Sequence, residues 1–413
     1  MAYFFFLLYL VVLYIRPAEW IGVFRGWQLA DITLLGTMFF LVFEQVATRR
    51  GLIKVPHTRL LVGLLLAMVL SHAAHTYIEG IKLAITGFAP VVIMYYLTIN
   101  TVTTGRRLQV ALWMVVLLTA VLAWQGIYQF DNYYGWAGQK MALGHRITWI
   151  SIFNDPNDLA LAFVIVVPVL LSYLVKPIFV GLKIIPLALL GLLIYGVYLT
   201  NSRGGILGLM VTIAFFFIKR SRWVVPGGIL GGAMATLVFL FGPSRLGLMA
   251  ASDASAQGRL ESWYYGFQLI KANPLFGVGH NMFTNDYPLT AHNSFILAAA
   301  ELGIIGLCCW VGLLYTSFKS LSLVQKHARG PLAHHAYALQ AALIGFAATT
   351  LFLSRTYNEL PYLLCALSAS LYYVAVQGHP EVAFQLRGKD YRNIVILSLG
   401  SLGLAQVAMK TWL

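Results

Sequence analysis

The chain has 413 residues, 60% of them hydrophobic and only 10% charged, and its mean hydropathy is +0.78. A soluble domain carries about 25% charged residues, so this composition excludes that class and makes the bilayer the solvent. The formal net charge of +14 would point to nucleic acid in a soluble protein. Here the basic residues sit in short loops between apolar runs, where orientation and anionic lipid explain them, and no nucleic-acid partner is expected.

Runs such as 161–174 and 184–199 are apolar all round, unlike the alternating strands of a membrane barrel. The expectation is an all-α, polytopic helical bundle of about 12–13 spans, forming one integral-membrane domain over 1–413. Apolar runs set against turn and charge signals place the spans near 2–15, 28–47, 59–76, 82–100, 108–128, 157–175, 184–201, 204–219, 223–242, 291–318, 335–353, 358–377 and 392–409. The first run lacks a basic leader and a small-residue cleavage site, and reads as a span or signal anchor. With the N-terminus inside, every inner loop carries at least two basic residues, among them Arg49, Arg50, Arg106, Arg107, Lys176 and Lys183, as the positive-inside rule requires.

In chain order, His72 and His75 come first among the polar signals. They lie three apart at the outer end of the third span, without a third ligand at metal spacing, and read as packing. The outer loop 129–156 is rich in Tyr, Trp and Gly. Its end, Asp155-Pro156-Asn157-Asp158, has a helix cap at Asp155 and Pro at the first helical position; the same carboxylates and Asn157 would also suit a polar rim for an acceptor sugar. Thr200-Asn201-Ser202-Arg203-Gly204-Gly205 forms a very short outer turn. Arg203 there is either an interfacial arginine or a phosphate clamp, because its planar fork matches phosphate oxygens. The repeat GGILG at 204–208 and 227–231 reads as close helix packing.

The longest outer loop is 243–290. Within it, 258–272 sets Leu260, Trp263, Tyr264, Phe267 and Ile270 at helical spacing, which predicts an amphipathic helix on the membrane surface. Arg259 opens that helix, either paired with Glu261 or as a second arm on the same anion. His292 and Asn293 begin the next span. A histidine there is a satisfied polar residue or, held neutral by the helix dipole, a general base; Asn293 binds a sugar hydroxyl or satisfies backbone. Glu301 lies nine residues further on, about 13 Å along a helix. An acid inside a span signals function or neutralises a buried arginine. Cys308, Cys309 and Cys365 all fall in spans and signal neither disulfides nor zinc. No nucleotide-binding or HExxH motif is present, so no cofactor and no metal is expected.

The order of these motifs resembles the O-antigen ligase and polymerase superfamily. The resemblance runs through Asp155-Pro156-Asn157-Asp158, Ser202-Arg203-Gly204-Gly205, Gly258-Arg259 with Trp263, Asn273-Pro274-Leu275-Phe276-Gly277-Val278-Gly279, Ala291-His292-Asn293-Ser294 and Glu301-Leu302-Gly303. It covers roughly 60–375 and is densest from 195 to 305. It implies an inverting, metal-independent glycan transferase of the bacterial inner membrane, with its site on the periplasmic face. The donor would be an undecaprenyl-diphosphate-linked glycan, and the acceptor a glycan or lipid core. Membrane lipid and a chain-length regulator complete the implied partners. Arg203 and Arg259 would hold the diphosphate and His292 would deprotonate the attacking hydroxyl. The loop between Arg259 and His292 is shorter than in the ligases, which leaves ligase and polymerase both open, along with relatives that glycosylate protein Ser or Tyr. A small-anion or metabolite transporter and a polysaccharide-export scaffold are the competing readings from other classes.

Overall fold

The computed structural model describes residues 1–176, 179–219 and 254–412. The candidate span at 223–242, the second GGILG and the first part of the 243–290 loop lie outside the described residues. Thirteen helices longer than four residues occur among the described residues: α1 (Ala2–Ile15), α2 (Leu29–Thr48), α3 (Pro56–Ala73), α4 (Ile78–Thr101), α5 (Gly105–Asn132), α6 (Pro156–Leu174), α7 (Ile184–Leu199), α8 (Arg203–Ile218), α9 (Ala254–Ala272), α10 (Ser294–His327), α11 (Pro331–Thr349), α12 (Glu359–Gly378) and α13 (Gly388–Trp412). No strand occurs among the described residues, only isolated bridges in 134–146. Ten helical segments are long and apolar enough to cross a membrane, while α1 and α8 are apolar but shorter. The chain is a multi-pass helical membrane protein.

Burial sorts the helices. α6 is apolar on every side because it has neighbours on every side, and 89% of its window is buried, as expected of a helix without a polar face. α2 and α13 are apolar too but turn Phe39, Phe43, Leu404 and Val407 outward, the surface that lipid covers. Between lipid-solvated helices the hydrophobic effect is weak, so small residues set the packing. Gly205 backs onto Ala160 of α6, and Gly208 and Gly345 fit against Thr349 and Thr212 between α8 and α11. The first GGILG is therefore a close-packing device.

Inter-helix ties among the described residues gather the loops at two ends of the bundle. At one end of the bundle, the Trp149 indole donates to Tyr14 O at 2.9 Å, Arg146 Nε to Thr200 O at 2.8 Å, and Ser294 Oγ to Leu353 O at 2.6 Å. At the other end, Tyr3 Oη donates to Arg107 O at 2.6 Å and Gln325 Nε2 to Gln340 Oε1 at 2.9 Å.

Two features depart from expectation. The helix predicted over 258–272 forms, but Trp263 and Phe267 are buried against α10 and α13, in a cluster with Ile296, Ala300 and Ala405. A stripe at helical spacing has the same pattern whether lipid or protein covers it; here protein covers Trp263 and Phe267 while Tyr264 stays exposed. The second departure is in α10, whose regular geometry breaks at Gly303 (φ 64°, ψ −169°). The chain itself fills the break: Val278 N donates to Ala300 O at 2.9 Å, Gly279 N to Glu301 O at 3.0 Å, and Ile304 N to Pro274 O at 2.9 Å. Gly277 and Gly303 both have positive φ, and a Cβ on either would strike the facing backbone. The 273–279 and 301–303 motifs are two sides of one junction. His75 holds it from the turn after α3, its Nε2 lying 2.9 Å from Gly277 O.

Candidate active site

The start of α6 is a knot of polar bonds. Asp155 caps the helix, its Oδ1 accepting from Asn157 N at 2.7 Å and from Asn157 Nδ2 at 2.8 Å. Asn157 Oδ1 then accepts from Ser202 Oγ at 2.7 Å and from Arg146 Nη2 at 3.0 Å. Ser202 in turn caps α8 through Gly205 N at 3.0 Å. The turn reaches this position because Asn201 takes a left-handed φ of 51°, which asparagine tolerates better than most residues. Arg203 is thereby fixed as the first residue of α8, directly after the Ser202 cap. Asp155 Oδ1 and both ends of the Asn157 amide make internal bonds in this joint.

Asp158 is buried, and both its oxygens pair with Arg355, one with Nε and the other with Nη2. Arg355 also donates from Nη1 to Ser354 O at 2.6 Å and from its backbone N to Ser294 Oγ at 2.8 Å. Burial opposes charge on this guanidinium, but the Asp158 carboxylate outweighs burial and holds its pKa above the usual value. One fork thus ties α6 to the α11–α12 connection and to the start of α10. The carboxylate that neutralises a buried arginine is Asp158, whereas Glu301 takes the backbone N–H of Phe283 on Oε1 at 3.0 Å.

His292 precedes α10 in a left-handed conformation, φ 49°. Such a backbone is uncommon outside glycine and marks positions worth a functional question. Asn293 caps α10, accepting from Phe295 N at 2.9 Å and Ile296 N at 3.1 Å. Its Nδ2 is buried with no partner among the described residues. Partial burial depresses the His292 pKa below 6.5, and the charges of Arg259 and Arg355 depress it further while Asp155 works against them. His292, Arg259, Arg355 and Asp155 therefore share one electrostatic neighbourhood, and Ser202, the residue before Arg203, is tied to Asp155 through Asn157.

Arg355 also lines a cavity of about 490 Å³, whose wall includes Thr290, Glu301, Ser354 and Glu359. Behind it, His280 is buried and its ring meets Tyr357 edge-on at 4.4 Å. Burial, with His72 beside it, lowers the His280 pKa to about 4. Among the described residues no group of three or more His, Cys, Asp or Glu side chains is placed to hold a metal ion.

Two site residues escaped sequence reasoning, Arg146 and Arg355. A signal for Arg355 was available: Ser354-Arg355 repeats the Ser202-Arg203 pairing at another short outer turn, and Asp158 in the first turn of an apolar span needed a cation.

Residues 187–311 match the family model described as O-antigen ligase. The match contains Arg203, Arg259, His292, Asn293 and Glu301, and it leaves out 155–158 and Arg355. No curated protein matches the chain.

Proposed function

From the premise that this chain carries the O-antigen ligase family region, we propose that it moves a glycan from undecaprenyl diphosphate to a hydroxyl acceptor at the periplasmic face of the bacterial inner membrane. His292 takes the proton of the acceptor hydroxyl. The freed oxygen bonds to the anomeric carbon from the face opposite the leaving group, which inverts the configuration. The carbon–oxygen bond to the diphosphate breaks, and its electron pair leaves with the lipid diphosphate. Arg203 and Arg259 offset the charge that develops there, the part a metal plays in other transferases. The sugar–diphosphate bond already holds the driving energy, so no nucleotide is needed on that face.

What supports this reading is the setting of His292: a left-handed backbone just before α10, partly buried, with the charges of Arg259 and Arg355 near enough to favour the neutral ring. A general base has to be neutral at working pH, and cations that bind a diphosphate also keep a neighbouring imidazole unprotonated. A transporter would share the broken span. In α10, however, residues 274–279 take up Ala300 O, Glu301 O and Ile304 N at the break, groups that a transporter would turn to its cargo.

The test uses membranes or purified protein with a short undecaprenyl-diphosphate-linked glycan from the host, following product size and lipid release. Wild type is compared with His292→Ala and Arg203→Ala. A ladder of longer lipid-linked chains, lost in both variants, identifies a polymerase; a single transfer to another acceptor identifies a ligase. Full complementation by both variants in cells, with no transfer in vitro, rejects the site.

A further inference from the structure

His292 holds a left-handed backbone, φ 49°, and a residue other than glycine keeps that conformation only where its surroundings over-determine it. The cap bonds of Asn293 close on the first turn of α10 itself, so they do not fix His292 against the rest of the bundle. Ser294 does. Its hydroxyl donates to Leu353 O at 2.6 Å and accepts from Arg355 N at 2.8 Å. Thr356 Oγ1 donates to Ser294 O at 2.9 Å. One residue, two positions after His292, is thereby joined by three bonds to the turn 353–356 between α11 and α12.

That turn is held from two further sides. Tyr362 Oη of α12 donates to Thr356 O at 2.6 Å, and the Arg355 fork grips Asp158 of α6. Ser294, Thr356 and Tyr362 are fully buried, where water does not compete for these bonds and a lost one leaves a polar group unpaired. A chain of polar bonds thus runs from α6 and α12 through the turn to the start of α10. It converges on the one turn of α10 whose entry is strained.

We propose that Ser294, backed by Thr356, is a positioning residue that holds the His292 imidazole at the angle from which it reaches the acceptor hydroxyl. The role rests on the transferase reading. It extends the site to the 353–356 turn, which lies beyond the matched region 187–311. Ser294 is buried and acts through the backbone of 292–294, not on a substrate.

Two readouts test it: transfer kinetics, and labelling of His292 by diethyl pyrocarbonate, which modifies accessible neutral imidazole and is followed by mass spectrometry. His292 is half-buried and so open to the reagent, and His145 of the outer loop serves as the reference. Ser294→Ala removes both hydroxyl bonds, and Thr356→Val removes the third bond at nearly constant shape. Both should lower kcat, Ser294→Ala on the order of a hundredfold. Both should leave donor and acceptor KM unchanged and raise His292 labelling severalfold. Ser294→Thr keeps the hydroxyl and should recover both readouts. Where Ser294→Ala fails to reach the membrane, Thr356→Val carries the test. Wild-type kcat and labelling in the variants overturns the positioning role, and so does a kcat loss with unchanged labelling or a loss confined to KM. Wild type that transfers nothing, with labelling that rises in Ser294→Ala and returns in Ser294→Thr, keeps the clamp and removes the transferase reading.

Discussion

Replacing Asp158 by Asn takes the negative charge from the Arg355 fork and sets an amide N–H against one of its arms. The Asp158 side chain is 2% exposed and that of Arg355 25%. Two charge-assisted bonds are lost, and breaking a buried pair from one side costs about 3–5 kcal/mol. For a large domain the conversion is roughly 2 °C per kcal/mol, so the melting temperature should fall by about 6–10 °C. A thiol-reactive dye reads this directly, because Cys365 is buried and Cys308 and Cys309 are half-buried until the bundle opens. Removing both charges, as in Asp158→Leu with Arg355→Met, should restore most of the loss. Transfer should stay low in the double variant, since Arg355 also acts on His292. An Asp158→Asn protein that melts within about 2 °C of wild type would refute the reasoning, as would a double variant no more stable than the single one.

Transfer should fail on the acid side as His292 gains its proton, with the limb in kcat/KM below pH 6.5, because burial and Arg259 favour the neutral ring. Arg259→Gln should move the residual limb upward and Asp155→Asn downward; shifts in the same direction would contradict the charge assignment. Gly303→Ala should remove the protein from membranes, because its φ is 64° and its Cβ would meet the Leu275 carbonyl. Gly400→Ala has open space at its Cβ and should be neutral or slightly stabilising by immunoblot and melting. Asn293→Ala should cost about 1 kcal/mol through the lost cap, and Asn293→Asp should keep most of it; melting of the two separates capping from sugar binding.

Most of the spans were legible because twenty apolar residues have few other uses, and the loop charges set their alternation. The cap at Asp155 was legible too, since a cap is a local bargain between a side chain and the next turn. What escaped was non-local. Asp158 and Arg355 are 197 residues apart, and nothing in either neighbourhood names the other. The break in α10 was also hidden. Glu301-Leu302-Gly303 reads as continuous span until Val278 and Gly279 are known to bond with Ala300 and Glu301. The amphipathic stripe of α9 was visible, but the protein surface that covers it was not.

The junction at Gly303 also limits how such a protein can diversify. Residues 274–279 keep register with 300–304, and only a few positions later the same strand of chain supplies Asn281 and Thr284 to the cavity. Inserting or deleting a residue there would slide the cavity wall and the His292-bearing end of α10 together. The cavity lining is then free to vary by side-chain exchange at exposed positions such as Thr284, while loop length stays fixed by the junction. The smallest portable cassette is 273–304, and a graft that takes the loop without its helical partner would arrive out of phase.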